Sequence, residues 1–176
     1  MAWEFTFLDM LQGLHTPPAD LFFSTITHLG DGGLFWIALG LILLCFKKTR
    51  RWGVCVLTGL LFGALITNVA LKPLVARERP CWINDTVQLL IANPTDFSFP
   101  SGHSQASFVS ATAIFMNDRK WGTAAYVLAA LIAFSRLYLY VHFPTDVLVG
   151  AVIGIAAGIL TERAIRKWMP KGGAAA

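Results

Sequence analysis

Five apolar blocks, at 33–46, 52–71, 101–116, 121–141 and 145–161, constrain this chain more than any other feature. Short charged or proline-bearing breaks separate them. A transmembrane helix needs roughly 20 mostly apolar residues, fewer where flanking side chains anchor it, so each block predicts a span. Of 176 residues, 56% are hydrophobic and only 14% charged, which argues against a soluble globular chain of this length. The expected fold is all-α: a polytopic membrane helix bundle with about five transmembrane helices, forming one domain over 1–171.

The cations sort by side. Lys47, Lys48, Arg50, Arg51, Arg119, Lys120, Arg163, Arg166, Lys167 and Lys171, ten of the fourteen Lys and Arg residues, fall on alternate breaks and share one side of the membrane. The positive-inside bias makes that side cytoplasmic. Lys72, Arg77, Arg79 and Arg136 are left on the outer side, where topology gives no reason for them.

Residues 1–32 contain no Lys or Arg and so lack the basic start of a signal peptide. Trp3, Phe5, Phe7, Leu8, Leu11 and Leu14 recur at helical spacing around Glu4, Asp9 and Gln12, and 21–29 repeats the pattern after Pro17 and Pro18. Two interfacial helices on the outer face are expected, with the GDGG break at 30–33 leading into the first span. The alternative joins 20–46 into a single broken span. Cys45, Cys55 and Cys81 lack metal-site spacing and predict no disulfide framework. There is no internal repeat, glycine-rich phosphate loop or nucleic-acid motif, and 172–176 reads as a flexible tail.

The outer ends of the third, second and fourth blocks carry the chemistry. Pro100 suits a first helical position, and the amides of Ser101, Gly102 and His103 would then lack partners inside the helix. Together with the helix dipole they make an anion site, and His103 adds a transferable proton. A plain helix cap with an interfacial histidine is the alternative. Lys72 closes the second block, with Arg79 seven residues on, before Pro80. Snorkelling span-end cations would look the same. Beyond the fourth block, SRLYLYVHFPTD supplies Ser135, Arg136, His142 and Asp146. An unpaired Arg136 near membrane depth is costly, and a bound anion would satisfy it. Pro144 is expected to start the last helix, which lets Asp146 accept the Nδ1 proton of His142 and leave Nε2 free as a nucleophile.

Read in order, 72–80 is K-x6-R-P, 100–103 is P-S-G-H and 135–146 is S-R-x5-H-x3-D. This resembles the three-part signature of the type 2 phosphatidic acid phosphatase superfamily, whose members commonly have six spans where this chain offers five. The resemblance implies that His142 is the nucleophile, forming a phosphohistidine, with Asp146 orienting it. It makes His103 the acid for the leaving oxygen, and Lys72, Arg79, Arg136, the Ser101 hydroxyl and the Gly102 amide the phosphoryl ligands. Arg77, Pro100 and Ser135 would support them, with Ser104 and Thr145 as further donors. Asp31, Asp85 and Asp96 look scattered in loops, so no two-metal carboxylate cluster is expected, and no cofactor. His15 and His28 have no motif and read as interfacial. The segment 81–99, with Trp82, Leu89, Leu90, Ile91 and Phe97, is expected to lie on the membrane surface beside the site.

The expected protein is therefore a lipid phosphatase of a bacterial inner membrane, its site facing the periplasm. Undecaprenyl pyrophosphate is the leading substrate. Phosphatidylglycerophosphate, phosphatidate or diacylglycerol pyrophosphate hydrolysis, and lipid phosphotransfer, use the same residues. A non-catalytic lipid-phosphate binder is the reading from a different class, and nucleic acid is not an expected partner.

Overall fold

The structure is a computed structural model and describes residues 2–170; the tail expected at 172–176 lies outside the described residues. Among the described residues every regular element is helical: α1 (Ala2–Gln12), α2 (Pro17–His28), α3 (Leu34–Cys45), α4 (Arg50–Ala64), α5 (Lys72–Val75), α6 (Pro80–Ile83), α7 (Gly102–Phe115), α8 (Arg119–Tyr138) and α9 (Pro144–Trp168). A π-helical stretch, Leu65–Leu71, joins α4 to α5. One extra residue per turn there changes which way Lys72 faces, and π-turns are frequent at functional sites.

The GDGG break works through its last two glycines. Gly32 and Gly33 have φ of 57° and 69°, a left-handed conformation that costs glycine nothing. The helices on either side, Pro17–His28 and Asp31–Cys45, bend by 43° at this point. Three helical stretches are long and apolar enough to cross a membrane: Arg50–Ile83, Arg119–Tyr138 and Pro144–Trp168; the bent pair, if counted as one span, brings the number to four. The block at 101–116 was expected to be a full span and is not one by length. Helix α7 has 14 residues, about 21 Å at 1.5 Å per residue, against roughly 30 Å of hydrocarbon. Its side chains explain its place: Ala106, Ser107, Val109, Ala111 and Ala113 are buried, so α4, α8 and α9 surround it as a core helix.

The outward faces carry the membrane signal. Leu61, Val69, Leu148, Val152 and Leu160 are all more than half exposed, a belt suited to hydrocarbon and unlike the surface of a water-soluble monomer. The N-terminal helices pack on the bundle rather than floating beside it. Phe23 of α2 meets Phe134 and Tyr138 of α8, and Leu8 and Leu11 of α1 are buried against the segment around Tyr140 and Phe143.

Lys47, Lys48 and Arg50 line one pocket with Asn117, Asp118 and Met169, so the basic breaks do share an end of the bundle. Just inside it, Arg51 of α4 pairs with Glu162 of α9, both buried. Glu162→Gln is expected to lower stability in detergent by about 3–5 kcal/mol, because it strands a buried guanidinium. Replacing both partners with apolar residues of similar volume is expected to be neutral or stabilising. Denaturant unfolding of the two variants checks this, and a single variant as stable as the parent protein would contradict it.

Candidate active site

Two helix starts are brought together by small residues. A Cβ on Gly150 of α9 would lie 2.5 Å from the Ser101 carbonyl, and one on Gly154 would lie 2.6 Å from the Gln105 carbonyl. Without side chains there, α9 approaches the α7 backbone closely, and the Ser101 N–H donates to the Asp146 carbonyl at 3.0 Å. This corrects the expected start of α7. The helix begins at Gly102 with Ser101 as its N-cap, and Pro100 precedes the cap. The Ser101 hydroxyl accepts from the Ser104 N–H at 3.3 Å and the Ser104 hydroxyl at 3.0 Å. Ser101 is fully buried, and the two bonds its oxygen accepts leave the hydroxyl hydrogen free to donate. Gly102 and His103 line the cavity, and first-turn amides have no partner inside their own helix.

Asp146 is fully buried in the first turn of α9. Its Oδ2 accepts from the Phe143 N–H at 2.8 Å and from Ser98 Oγ at 2.5 Å, and its Oδ1 accepts from Arg77 Nη1 at 2.6 Å. His142 Nδ1 is 3.6 Å from Asp146 Oδ2 and 3.3 Å from Ser98 Oγ. The expected direct histidine–carboxylate bond is thus stretched, and Ser98 bridges the pair. Arg77 also donates from Nη1 to Thr145 Oγ1 and from Nη2 to Glu4 Oε2, each at 2.7 Å. Glu4 of α1 therefore buttresses the site from behind.

Lys72, Arg79 and Arg136 converge with His103 and His142 on one cavity of about 310 Å³. Arg79 Nη1 donates to the Val141 carbonyl at 2.7 Å and lies 3.1 Å from His142 Nε2. Tyr140, with φ of 60°, turns the chain so that this carbonyl and His142 both face inward; such backbone strain concentrates at functional sites. Arg136 Nη1 donates to Thr27 Oγ1 at 2.7 Å, while its buried Nε has no partner. Ser135, expected as a supporting donor, spends its hydroxyl on the Ile132 carbonyl of its own helix.

Two carboxylates expected to be scattered in loops belong to this cavity. Asp96 holds Arg79 Nη2 at 2.7 Å and pairs with Lys72. Asp31 holds His103 Nε2 at 3.0 Å and His28 Nδ1 at 2.7 Å, so His28 is tied to the site and not merely interfacial. Asp85 does not line either cavity described here. His15 stays apart, stacked on Tyr138. Within the segment 81–99, Ile91 lines the polar cavity. Leu90 and Phe97 are more than a third exposed.

A second, mostly apolar cavity of about 640 Å³ adjoins the first, lined by Ile37, Leu57, Leu60, Leu61 and Ala64. Lys72, Asp96, Gly102 and His103 face both. The arrangement can seat a tetrahedral anion beside two imidazoles, with hydrocarbon alongside.

A helical bundle with a cavity ringed by cations and imidazoles at one end defines the class of membrane protein to compare it with. Residues 52–170 match the PAP2 superfamily, and the chain belongs to it. An undecaprenyl-diphosphatase of Sulfolobus acidocaldarius is 32% identical over 120 residues, 68% of this chain and 58% of that protein. Thus the chain spans less than two thirds of that relative. The crystal structure of Aquifex aeolicus LpxE superposes with a TM-score of 0.78 at 28% identity, covering 89% of this chain and 92% of that one. A transmembrane PAP2 type phosphatidylglycerolphosphate phosphatase from Bacillus subtilis gives 0.75 at 28% identity, covering 94% and 86%. The chain is a membrane protein of this family.

Burial first, and then the charges of Arg79, Arg136 and Lys72, push the His142 imidazole well below its ordinary value. Each cause disfavours the protonated ring, so His142 is expected to be neutral at neutral pH. Nitrogen-15 NMR of the labelled ring checks this; an imidazolium at neutral pH would contradict it.

Proposed function

We propose that the protein is a lipid phosphatase that removes a phosphate from a lipid (pyro)phosphate through a phosphohistidine, without metal. The observation that carries the reading is the joined pair of cavities, one ringed by cations and imidazoles, the other apolar, sharing Lys72, Gly102 and His103. A substrate that fills both has an anionic phosphoryl head and a hydrocarbon tail.

In this mechanism Lys72, Arg79, Arg136 and the Gly102 amide hold the phosphoryl oxygens, supplying the fixed positive charge that phosphoryl transfer demands. The Nδ1–H of His142 points toward Ser98 Oγ and Asp146 Oδ2, at 3.3 and 3.6 Å, which directs the Nε2 lone pair at phosphorus once Arg79 Nη1 releases it. The new N–P bond forms as the bond to the leaving oxygen breaks, and His103 gives that oxygen its proton. Water then attacks the phosphohistidine, passing a proton to the now neutral His103, and His142 is regenerated with inorganic phosphate. One histidine must be neutral while the other is protonated; burial and then the charge of Arg136 push His103 down to about 4, against the Asp31 carboxylate that holds its Nε2, so in this mechanism the anionic phosphoryl group must help to keep His103 protonated.

Undecaprenyl pyrophosphate is the leading substrate, supported by the Sulfolobus acidocaldarius relative's name. Phosphatidylglycerophosphate is the alternative, supported by the Bacillus subtilis neighbour; phosphatidate and diacylglycerol pyrophosphate, or transfer to a second lipid, would use the same residues. The site faces the periplasm of a bacterial inner membrane in this reading, because the basic breaks gather at the opposite end.

His142→Ala is expected to reduce phosphate release from these lipids by on the order of a thousandfold or more, while the protein stays folded in detergent. Wild-type activity is expected to survive EDTA and to be inhibited by orthovanadate. Turnover retained by His142→Ala would overturn the nucleophile, and loss of activity on chelation would overturn the metal-free mechanism. Specificity constants for the purified protein on polyprenyl pyrophosphate and phosphatidylglycerophosphate decide between the two lipids.

A further inference from the structure

We propose that Asp96 is an internal competitor for the phosphate cradle, and that substrate binds by displacing its carboxylate from Lys72 and Arg79. The proposal rests on the lipid-phosphate reading of the site and adds to it a residue that sets the affinity for the phosphoryl group.

The geometry is that of an anion in an anion site. Asp96 Oδ1 accepts from Arg79 Nη2 at 2.7 Å, Oδ2 pairs with Lys72, and the Asp96 main-chain carbonyl accepts from Arg79 Nε at 2.7 Å. Two carboxylate oxygens thus take the places that two phosphoryl oxygens would take. Asp96 also lies where the polar and apolar cavities meet, the position a lipid phosphate ester would occupy.

The partners differ sharply in burial. The side chain of Asp96 is 55% exposed, whereas those of Lys72 and Arg79 are 10% and 2% exposed. The cations are built into the bundle, and the carboxylate reaches them from the surface segment 84–99. The carboxylate regains water easily from a side chain already half exposed, but its departure uncovers two buried cations, so it leaves only as the phosphoryl group takes its place. A phosphate monoester brings a second charge and a third oxygen, and Arg136, with an unpartnered buried Nε, faces the same cavity. The incoming dianion therefore gains a contact the carboxylate does not make.

Asp96 is unsuited to proton transfer here. Burial raises its carboxyl, but the hydrogen bond and charge of Lys72 and the charge of Arg79 outweigh this and hold it at about 2. A group that acidic is a poor base near neutrality. What it does instead is neutralise two buried cations between turnovers. It also holds Arg79 where Nη1 sits 3.1 Å from His142 Nε2, so the nucleophile is covered until the phosphoryl group arrives. A competing internal ligand weakens every external anion by the same factor, the inverse of the fraction of time the cradle is open.

That common factor is the test. Orthovanadate and inorganic phosphate are titrated against wild-type protein and Asp96→Asn, reading both inhibition of lipid dephosphorylation and protection against thermal unfolding in detergent. Asp96→Asn is expected to lower the inhibition constants of both anions, and the substrate KM, together by about tenfold. Asp96→Glu, which keeps a carboxylate, is expected to stay within about threefold of wild type. Asp85→Asn, an exposed change in the same segment, is expected to leave all three constants unmoved. If Asp96 is a structural strut instead, Asp96→Asn weakens anion binding or leaves it unchanged, and either result overturns the proposal. The thermal readout needs no lipid turnover. Tightened vanadate binding in a protein that dephosphorylates no lipid would leave the competitor standing and sink the proposed function. Turnover with unchanged vanadate affinity would do the reverse.

Discussion

The carboxylate of Asp146 is the fixed point around which the site is assembled. A fully buried anion is tolerated only when its oxygens are saturated with donors, and here they receive a backbone amide, a serine hydroxyl and an arginine. Each donor comes from a different part of the chain. Satisfying one charge therefore fixes the turn before α9, the end of the 84–99 segment through Ser98, and the stretch after α5 through Arg77. The carbonyl of the same residue receives the Ser101 amide, which locks the start of α7 to the start of α9. Removing the charge would release three segments at once, so its contribution is not separable into pairwise bonds.

The cations impose the opposite demand. Lys72, Arg79 and Arg136 are each less than a tenth exposed and face one cavity, where mutual repulsion is only weakly screened. Such a cluster needs anions, and the fold provides them from exposed positions: Asp96 from a surface segment and Asp31 from the break before α3. Carboxylates on exposed segments neutralise the pocket yet remain exchangeable. Buried ones would have closed it for good.

The legible part of this protein was the part written in local pattern. The breaks between apolar blocks locate both ends of α3 and α8 and the starts of α4 and α9 to within three residues, because charge and proline are incompatible with a hydrocarbon span. The three motifs place Lys72, Arg79, His103, Arg136 and His142 at one end, and the PAP2 match agrees with the family they resemble. What escaped depends on tertiary approach. Asp31, Asp96, Ser98 and Glu4 have ordinary loop or helix neighbours in sequence, and nothing local reveals that a carboxylate at 96 reaches a lysine at 72. The π-helical stretch before Lys72 has no compositional mark. The length of α7 misled for a related reason: a short apolar helix reads as a span until its neighbours are seen to enclose it.

The division between the two cavities also accounts for how one site serves relatives named for different lipids. The polar cavity, about 310 Å³, is specified atom by atom: a guanidinium presents fixed donors, an imidazole one lone pair, and an amide one direction. Such a lining suits a phosphoryl group, the occupant in the proposed function. The apolar cavity is lined by leucine, isoleucine and alanine side chains of α3 and α4, which present area but no direction. An added or missing methylene against such a wall changes binding by only about 1–3 kcal/mol. If the proposed function holds, discrimination between a prenyl and an acyl chain falls to the shape of the α3–α4 wall. The reacting end can stay constant while that wall drifts.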